Sequence, residues 1–121
     1  MHLTNYSVNK KNDNFVQNES AEHDDFGFKW SLSAFCKHLE TVGINMSLLW
    51  SRIFDVIIKT LACGEHYVVQ ATKKNQMHRQ NCFEVFGFDI LLDSDLKPWL
   101  VEVNLSPSLS SDSPLDHTIK G

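Results

Sequence analysis

Residues 82–108 read CFEVFGFDILLDSDLKPWLVEVNLSPS. Two segments, apolar almost throughout, flank a polar stretch, a pattern that predicts an antiparallel hairpin. Each predicted strand nevertheless carries polar groups in its middle: Asp89 in the first, Glu102 with Asn104 in the second. Taking a carboxylate out of water without a partner is expensive, and the only basic residue within the stretch is Lys97. Alternate residues of a strand share a face, so Glu102 and Asn104 point the same way. A four-residue turn over 94–97 would pair Asp93 with Pro98 and, counted back along the ladder, Asp89 with Glu102. Pro98 is tolerated at the start of the returning strand, where it need not donate a ladder hydrogen bond.

Like charges directly opposite on a sheet are destabilising, and a divalent cation between them reverses the sign. Mg²⁺ takes hard oxygen ligands, and Asp89, Glu102 and the amide oxygen of Asn104 are such a set. The expectation depends on register, because a slip of one residue turns the set to the other face. The competing reading places one acid toward solvent on a two-faced sheet. Apolar neighbours on both faces (Phe86, Phe88, Ile90 and Leu91 against Trp99, Leu100, Val101 and Val103) instead predict a strand pair covered on both sides.

Working outward, the 121 residues are enough for one domain or part of one. With 42% hydrophobic and 21% charged residues, the chain has globular rather than disordered composition. A net charge of −4 argues against nucleic acid as the main partner, since phosphate binding wants a basic field. Cys36, Cys63 and Cys82 are scattered and odd in number, which predicts reduced thiols rather than a disulfide frame. The polar start has no signal-peptide core, and no apolar run reaches the roughly 18 residues of a membrane span. A soluble, intracellular protein is expected.

The polar stretch 10–25, KKNDNFVQNESAEHDD, predicts a surface loop. A helix is expected over 31–42, with Phe35, Leu39 and Val42 on one face and Gly43 as its stop. Asn45 or Ser47 would cap a second helix with an apolar stripe of Leu49, Ile53, Val56, Ile57 and Thr60. Gly64 is expected to interrupt that helix, GEHYVVQA (64–71) is ambiguous between helix and strand, and 73–81 reads as a loop. A short helix is expected near Pro114.

The start HLTNYSVNK, residues 2–10, is dense in small polar groups. Thr4, Asn5 and Ser7 suit phosphate or ribose oxygens, and Tyr6 suits stacking or hydrogen bonding; a capping or turn segment is the plainer reading. Lys29, beside Trp30, reads by itself as a surface charge. The six histidines show no metal-ligand spacing, which argues against zinc. Neither a GxSxG nucleophile elbow nor a GxxxxGK[ST] phosphate loop is present.

HLTNYSVNKK, FKWSL, DVIIKT, CFEVFGFDILLD and KPWLVEVNLSPSLSSDSPLD, in that order, closely resemble the tubulin tyrosine ligase-like family, and within it the polyglutamylase branch. The resemblance covers nearly the whole chain. It implies an α+β, ATP-grasp-like fold of which residues 1–121 form the C-terminal part, helices packed on an antiparallel hairpin. It implies ATP and Mg²⁺ as cofactors and tubulin or microtubules with free L-glutamate as partners, in the cytoplasm at the cytoskeleton, cilium or centrosome. The implied reaction phosphorylates a γ-carboxylate of the tubulin tail to an acyl phosphate, which the amine of glutamate attacks. The implied metal ligands are Asp89, Glu102 and Asn104, and the implied nucleotide contacts are Thr4 and Asn5. Tyr6, Ser7 and Lys29 are implied to hold glutamate, Lys29 as a catalytic residue. The family's upstream lobe, with its phosphate-binding lysines, is absent from the sequence, so a fragment that is inactive alone is expected. The rival readings are a non-catalytic microtubule- or centrosome-binding module, and a glycine or tyrosine ligase.

Overall fold

The structure, a computed structural model, describes residues 8, 11–14, 16, 25, 27, 29–75 and 83–108. The chain divides into two compact units, one of residues 1–44 with 109–121 and the other of residues 45–108.

In the first unit, α1 spans Leu32–Thr41. Ser31 is extended (φ −69°, ψ 153°), and its Oγ accepts the Ala34 N–H at 3.0 Å, satisfying one of the orphan donors of the first turn. The C-terminus is closed by Gly43 at φ 82°. Its N–H donates to Glu40 O and the Ile44 N–H to Leu39 O, both at 3.0 Å. This is a Schellman closure, and the left-handed conformation is what makes glycine the favoured residue there. Leu39 is buried and Phe35 half-buried, as the periodicity predicts. Val42 is not on the covered face: it is the C-cap and is exposed. Trp30 presents an edge-on contact to His38, ring centroids 5.4 Å apart, and its indole N–H donates to Gly27 O.

In the second unit, α2 runs without a break from Met46 to Asn75. Asn45 is the cap, its Oδ1 accepting the Leu48 N–H at 3.0 Å. The predicted stripe is the covered side: Leu49 is buried, and Ile53, Val56, Ile57 and Thr60 are half-buried. Gly64 does not interrupt the helix. Its φ is not in the positive range and nothing lies within 4 Å of where a Cβ would be, so neither conformation nor space demands a glycine. One glycine weakens a helix by about 1 kcal/mol relative to alanine, too little to stop one already anchored on one side by its apolar stripe. GEHYVVQA is therefore helical, and so are Lys73–Asn75, which the loop expectation had included; residues 76–82 lie outside the described residues. No helix of the described residues is long and apolar enough to cross a membrane.

Among the described residues the sheet has two antiparallel strands, β1 (Phe86–Leu92) and β2 (Pro98–Leu105), and α2 packs against β2. Helices with a two-stranded antiparallel sheet make the chain α+β. In β1 Phe88, Ile90 and Leu92 of one face are half-buried and Phe86 is exposed, while on the other face Gly87 is half-buried and Asp89 and Leu91 are exposed. The expectation of a sheet covered on both sides is thus corrected. On the face of the acids Leu91 is 50% exposed and its partner Trp99 49%, so apolar side chains stand in water together with the acids. Alternation of apolar residues records what a strand is suited to bury, not which layers are present to cover it.

Of the predicted loop over 10–25, residues 11–14 form exposed turns, with the Asn14 N–H donating to Asn12 Oδ1. The helix expected near Pro114 lies outside the described residues.

Candidate functional site

The register places Asp89 opposite Glu102 and Gly87 opposite Asn104. All four positions therefore share one face of the sheet. The route to that pairing differs from the simple turn count. At the tip the Asp93 N–H donates to Lys97 O (3.2 Å) and the Leu96 N–H to Asp93 O (3.0 Å), and Pro98 pairs with Leu92 rather than Asp93. Continued regularly, that ladder would set Asp89 against Val101 and send Glu102 to the opposite face. A bulge between the pairs Ile90–Leu100 and Asp89–Glu102 takes up Val101 as an extra residue and restores the offset. The predicted pairing is correct at the acids and one residue out at the tip.

Between the two carboxylates lies the Asn104 side-chain amide. Its Nδ2 donates to Asp89 Oδ2 at 3.3 Å and to Glu102 Oε1 at 3.1 Å. An NH₂ group has two donors, and here both face a carboxylate. The electropositive end of an amide thus occupies the place between two negative groups. Asp89 and Glu102 are exposed and Asn104 is half-buried. The acids keep their contact with water, so the desolvation penalty that their apolar neighbourhood seemed to impose does not arise on this surface.

Chemically the cluster offers four carboxylate oxygens and, after a half-turn of the amide, the Asn104 Oδ1. This is a hard, oxygen-only donor set suited to Mg²⁺ or Mn²⁺, not to a soft metal. Among the described residues no group of three or more His, Cys, Asp or Glu stands together as a metal cluster; the third donor here is an amide.

The tip holds a second arrangement that the turn count missed. Asp93 Oδ1 accepts the backbone N–H of Asp95 (3.0 Å) and of Lys97 (2.9 Å), and Asp93 Oδ2 accepts the Trp99 indole N–H at 2.8 Å. Lys97 Nζ sits 3.9 Å from the centre of the Trp99 ring. The Trp99 indole, then the Lys97 N–H, hold the Asp93 carboxyl below its ordinary value. Leu96, at φ 57°, takes the left-handed position that closes the turn. The readable signal is the aspartate opening DSDLK, since Asp bonds its own backbone two residues on.

Of the other candidates, Thr4, Asn5, Tyr6 and Ser7 lie outside the described residues. Lys29 is exposed beside Trp30 in the first unit, whereas the acids belong to the second.

The model of the tubulin-tyrosine ligase family matches residues 1–121. The chain is 51% identical over 120 residues to tubulin polyglutamylase TTLL5 of Homo sapiens, covering 99% of this chain and 9% of that protein. It is 50% identical over 121 residues to tubulin monoglutamylase TTLL4 of Mus musculus (100% and 10%). It is 48% identical over 120 residues to tubulin polyglutamylase ttll-5 of Caenorhabditis elegans (99% and 16%). The chain thus spans about a tenth to a sixth of the length of these relatives.

Proposed function

The chain belongs to the tubulin-tyrosine ligase family, and from that premise we propose that it forms part of an ATP-dependent tubulin polyglutamylase with an ATP-grasp core. Its activity is to join glutamate to glutamate side chains of the tubulin tail, at the microtubule cytoskeleton, cilium or centrosome. The observation that carries the reading is the convergence of Asp89, Glu102 and Asn104 on one exposed sheet face. The polyglutamylase and monoglutamylase names of the relatives favour glutamate over glycine or tyrosine as the amino acid added. A non-catalytic docking module has no use for two carboxylates set directly opposite each other, where they repel.

In this reading Asp89, Glu102 and the Asn104 oxygen would hold Mg²⁺, the donor set being of the right hardness. Bound there, the ion would neutralise phosphate charge while the γ-phosphoryl group passes from ATP to the acceptor carboxylate and ADP leaves. Thr4 and Asn5 hold the nucleotide. Tyr6, Ser7 and Lys29 hold the incoming glutamate, the Lys29 ammonium pairing with its carboxylate. Held in place, the neutral glutamate amine attacks the carbonyl carbon of the acyl phosphate. The C–N bond forms as the C–O bond to phosphate breaks, and inorganic phosphate leaves while the nitrogen releases a proton to water. Positioning of the two reactants, more than any covalent work by the protein, lowers the barrier.

The test is incorporation of labelled glutamate or glycine into tubulin by the full-length protein with ATP. Glutamate incorporation that Asp89→Asn and Glu102→Gln each abolish is expected. Preference for glycine, or undiminished incorporation by either variant, overturns the proposal.

A further inference from the structure

We infer that Gly87 and Pro107 are positioning residues that hold the Asn104 amide between the two carboxylates, an inference that rests on the cation-site reading above. Gly87 is the direct cross-strand partner of Asn104 and shares its face with Asp89. It is not a glycine for conformational reasons, since the positive-φ glycines of the described residues are Gly27 and Gly43. What it supplies is room. A Cβ at Gly87 would lie 3.0 Å from Pro107 Cβ, 3.5 Å from Pro107 Cγ and 3.6 Å from Asn104 Cβ. The Pro107 ring therefore fills the space that a side chain would take, on the face that carries the acids.

The chain bends to bring the ring there. Ser106, directly after β2, has φ 50°, a left-handed conformation that a serine adopts only when its surroundings impose it. Its Oγ donates to Glu84 Oε1 at 3.4 Å, tying the bend to the residues that lead into β1. The bend turns Pro107 back over the sheet, and a proline ring has few ways to yield. Asn104 therefore lies beside the Gly87 position that the Pro107 ring covers, on the face that also carries Asp89 and Glu102. Asn104 is half-buried while both acids are exposed. The Asn104 amide faces the carboxylates, and its Nδ2 reaches both.

A methyl group at Gly87 crowds the Pro107 ring at 3.0 Å and meets Asn104 Cβ at an ordinary 3.6 Å, so its action on the amide passes through the displaced ring. Residues that orient metal ligands commonly alter metal affinity by about tenfold to a hundredfold when changed. The experiment titrates Mn²⁺ into the full-length protein by electron paramagnetic resonance, for wild type, Gly87→Ala, Asn104→Ala and the double variant. The expected result is at least about tenfold weaker binding in Gly87→Ala. In the Asn104→Ala background the same change should have no further effect, because its action passes through Asn104. Equal losses in both backgrounds, or unchanged affinity in Gly87→Ala, overturn the inference. A loss of melting temperature without the non-additivity assigns Gly87 a merely structural role and overturns it too. Wild type that binds no Mn²⁺ sinks the cation-site reading instead. The positioning of Asn104 is then decided by crystal structures of wild type and Gly87→Ala: an amide that stays between Asp89 and Glu102 in the variant refutes it, and a displaced one supports it.

Discussion

Replacing Asp89 by asparagine should move two properties of the molecule in opposite directions. One nitrogen bridges the two carboxylates, at 3.3 and 3.1 Å. With the two charges about 5 Å apart, repulsion is about 0.8 kcal/mol in water and about 3 kcal/mol at an effective dielectric of about 20. Both side chains are exposed, so the lower figure governs. Asp89→Asn removes the repulsion yet keeps an oxygen to accept from Asn104, so the metal-free protein should gain about 1 kcal/mol. Cation binding should respond the other way. A divalent ion about 2.1 Å from a unit charge gains about 4 kcal/mol even at the dielectric of water. An amide oxygen recovers part of that, leaving a loss on the order of a hundredfold in affinity, about 2.7 kcal/mol. Urea unfolding at about 10 mM and about 1 M salt reads the first effect, since the screening length falls to about 3 Å in the stronger salt and the gain should vanish there. Titration with Mn²⁺ reads the second. A variant less stable than wild type at both salt concentrations, with unchanged Mn²⁺ affinity, would refute the reasoning and make Asp89 a structural hydrogen-bond acceptor.

Other consequences are more local. Gly64→Ala should stabilise the protein by about 1 kcal/mol in chemical denaturation, given a continuous helix and open space at that position; a destabilised variant would mean that α2 breaks there. Ser31→Ala and Asn45→Ala should each lower stability by about 1 kcal/mol, because each removes the acceptor for a first-turn N–H. Gly43→Ala should be destabilising by about 1 kcal/mol for its left-handed backbone, and a neutral result would contradict the Schellman closure. Asp93 is lowered from its ordinary value of 3.8, so the stability it contributes is present above that pH and is lost as pH falls through its lower folded value. Trp99 fluorescence followed during acidification should show the hairpin tip loosening in that window, and Asp93→Asn should remove this step. An unaltered acid profile in the variant contradicts the role given to Asp93.

Much of the architecture is readable from local chemistry. Ser31 and Gly43 mark both ends of α1 because a cap and a left-handed glycine act within one turn of the chain. The covered stripe of α2 follows from its period, whereas its length does not: Gly64 is a stop signal in isolation and is outweighed by the packing of a long helix. The facing of Asp89 and Glu102 can be counted from the turn, although the count and the molecule agree only because the Val101 bulge offsets a tip shifted by one residue. A bulge leaves little trace in an apolar run such as PWLVEV. Asp93 was legible as a turn former but not as the acceptor for Trp99, since that bond exists only once the strands pair. Gly87 was invisible as a functional position, because its importance lies in the ring of Pro107, 20 residues on. The exposure of the acids was misread for a general reason: strand composition says what a face would bury, and a covering layer must come from elsewhere in the chain or the assembly.

The most direct test of the account is a crystal of the protein soaked in Mn²⁺ and measured at the manganese absorption edge. The account predicts one anomalous peak between Asp89, Glu102 and Asn104, with ligand distances of about 2.1–2.2 Å. It also predicts that the Asn104 amide has turned so that Oδ1, not Nδ2, faces the ion. No peak at that position at millimolar Mn²⁺, or a peak elsewhere with the Asn104 Nδ2 still donating to both carboxylates, would contradict the claim that this face of the hairpin is a cation site.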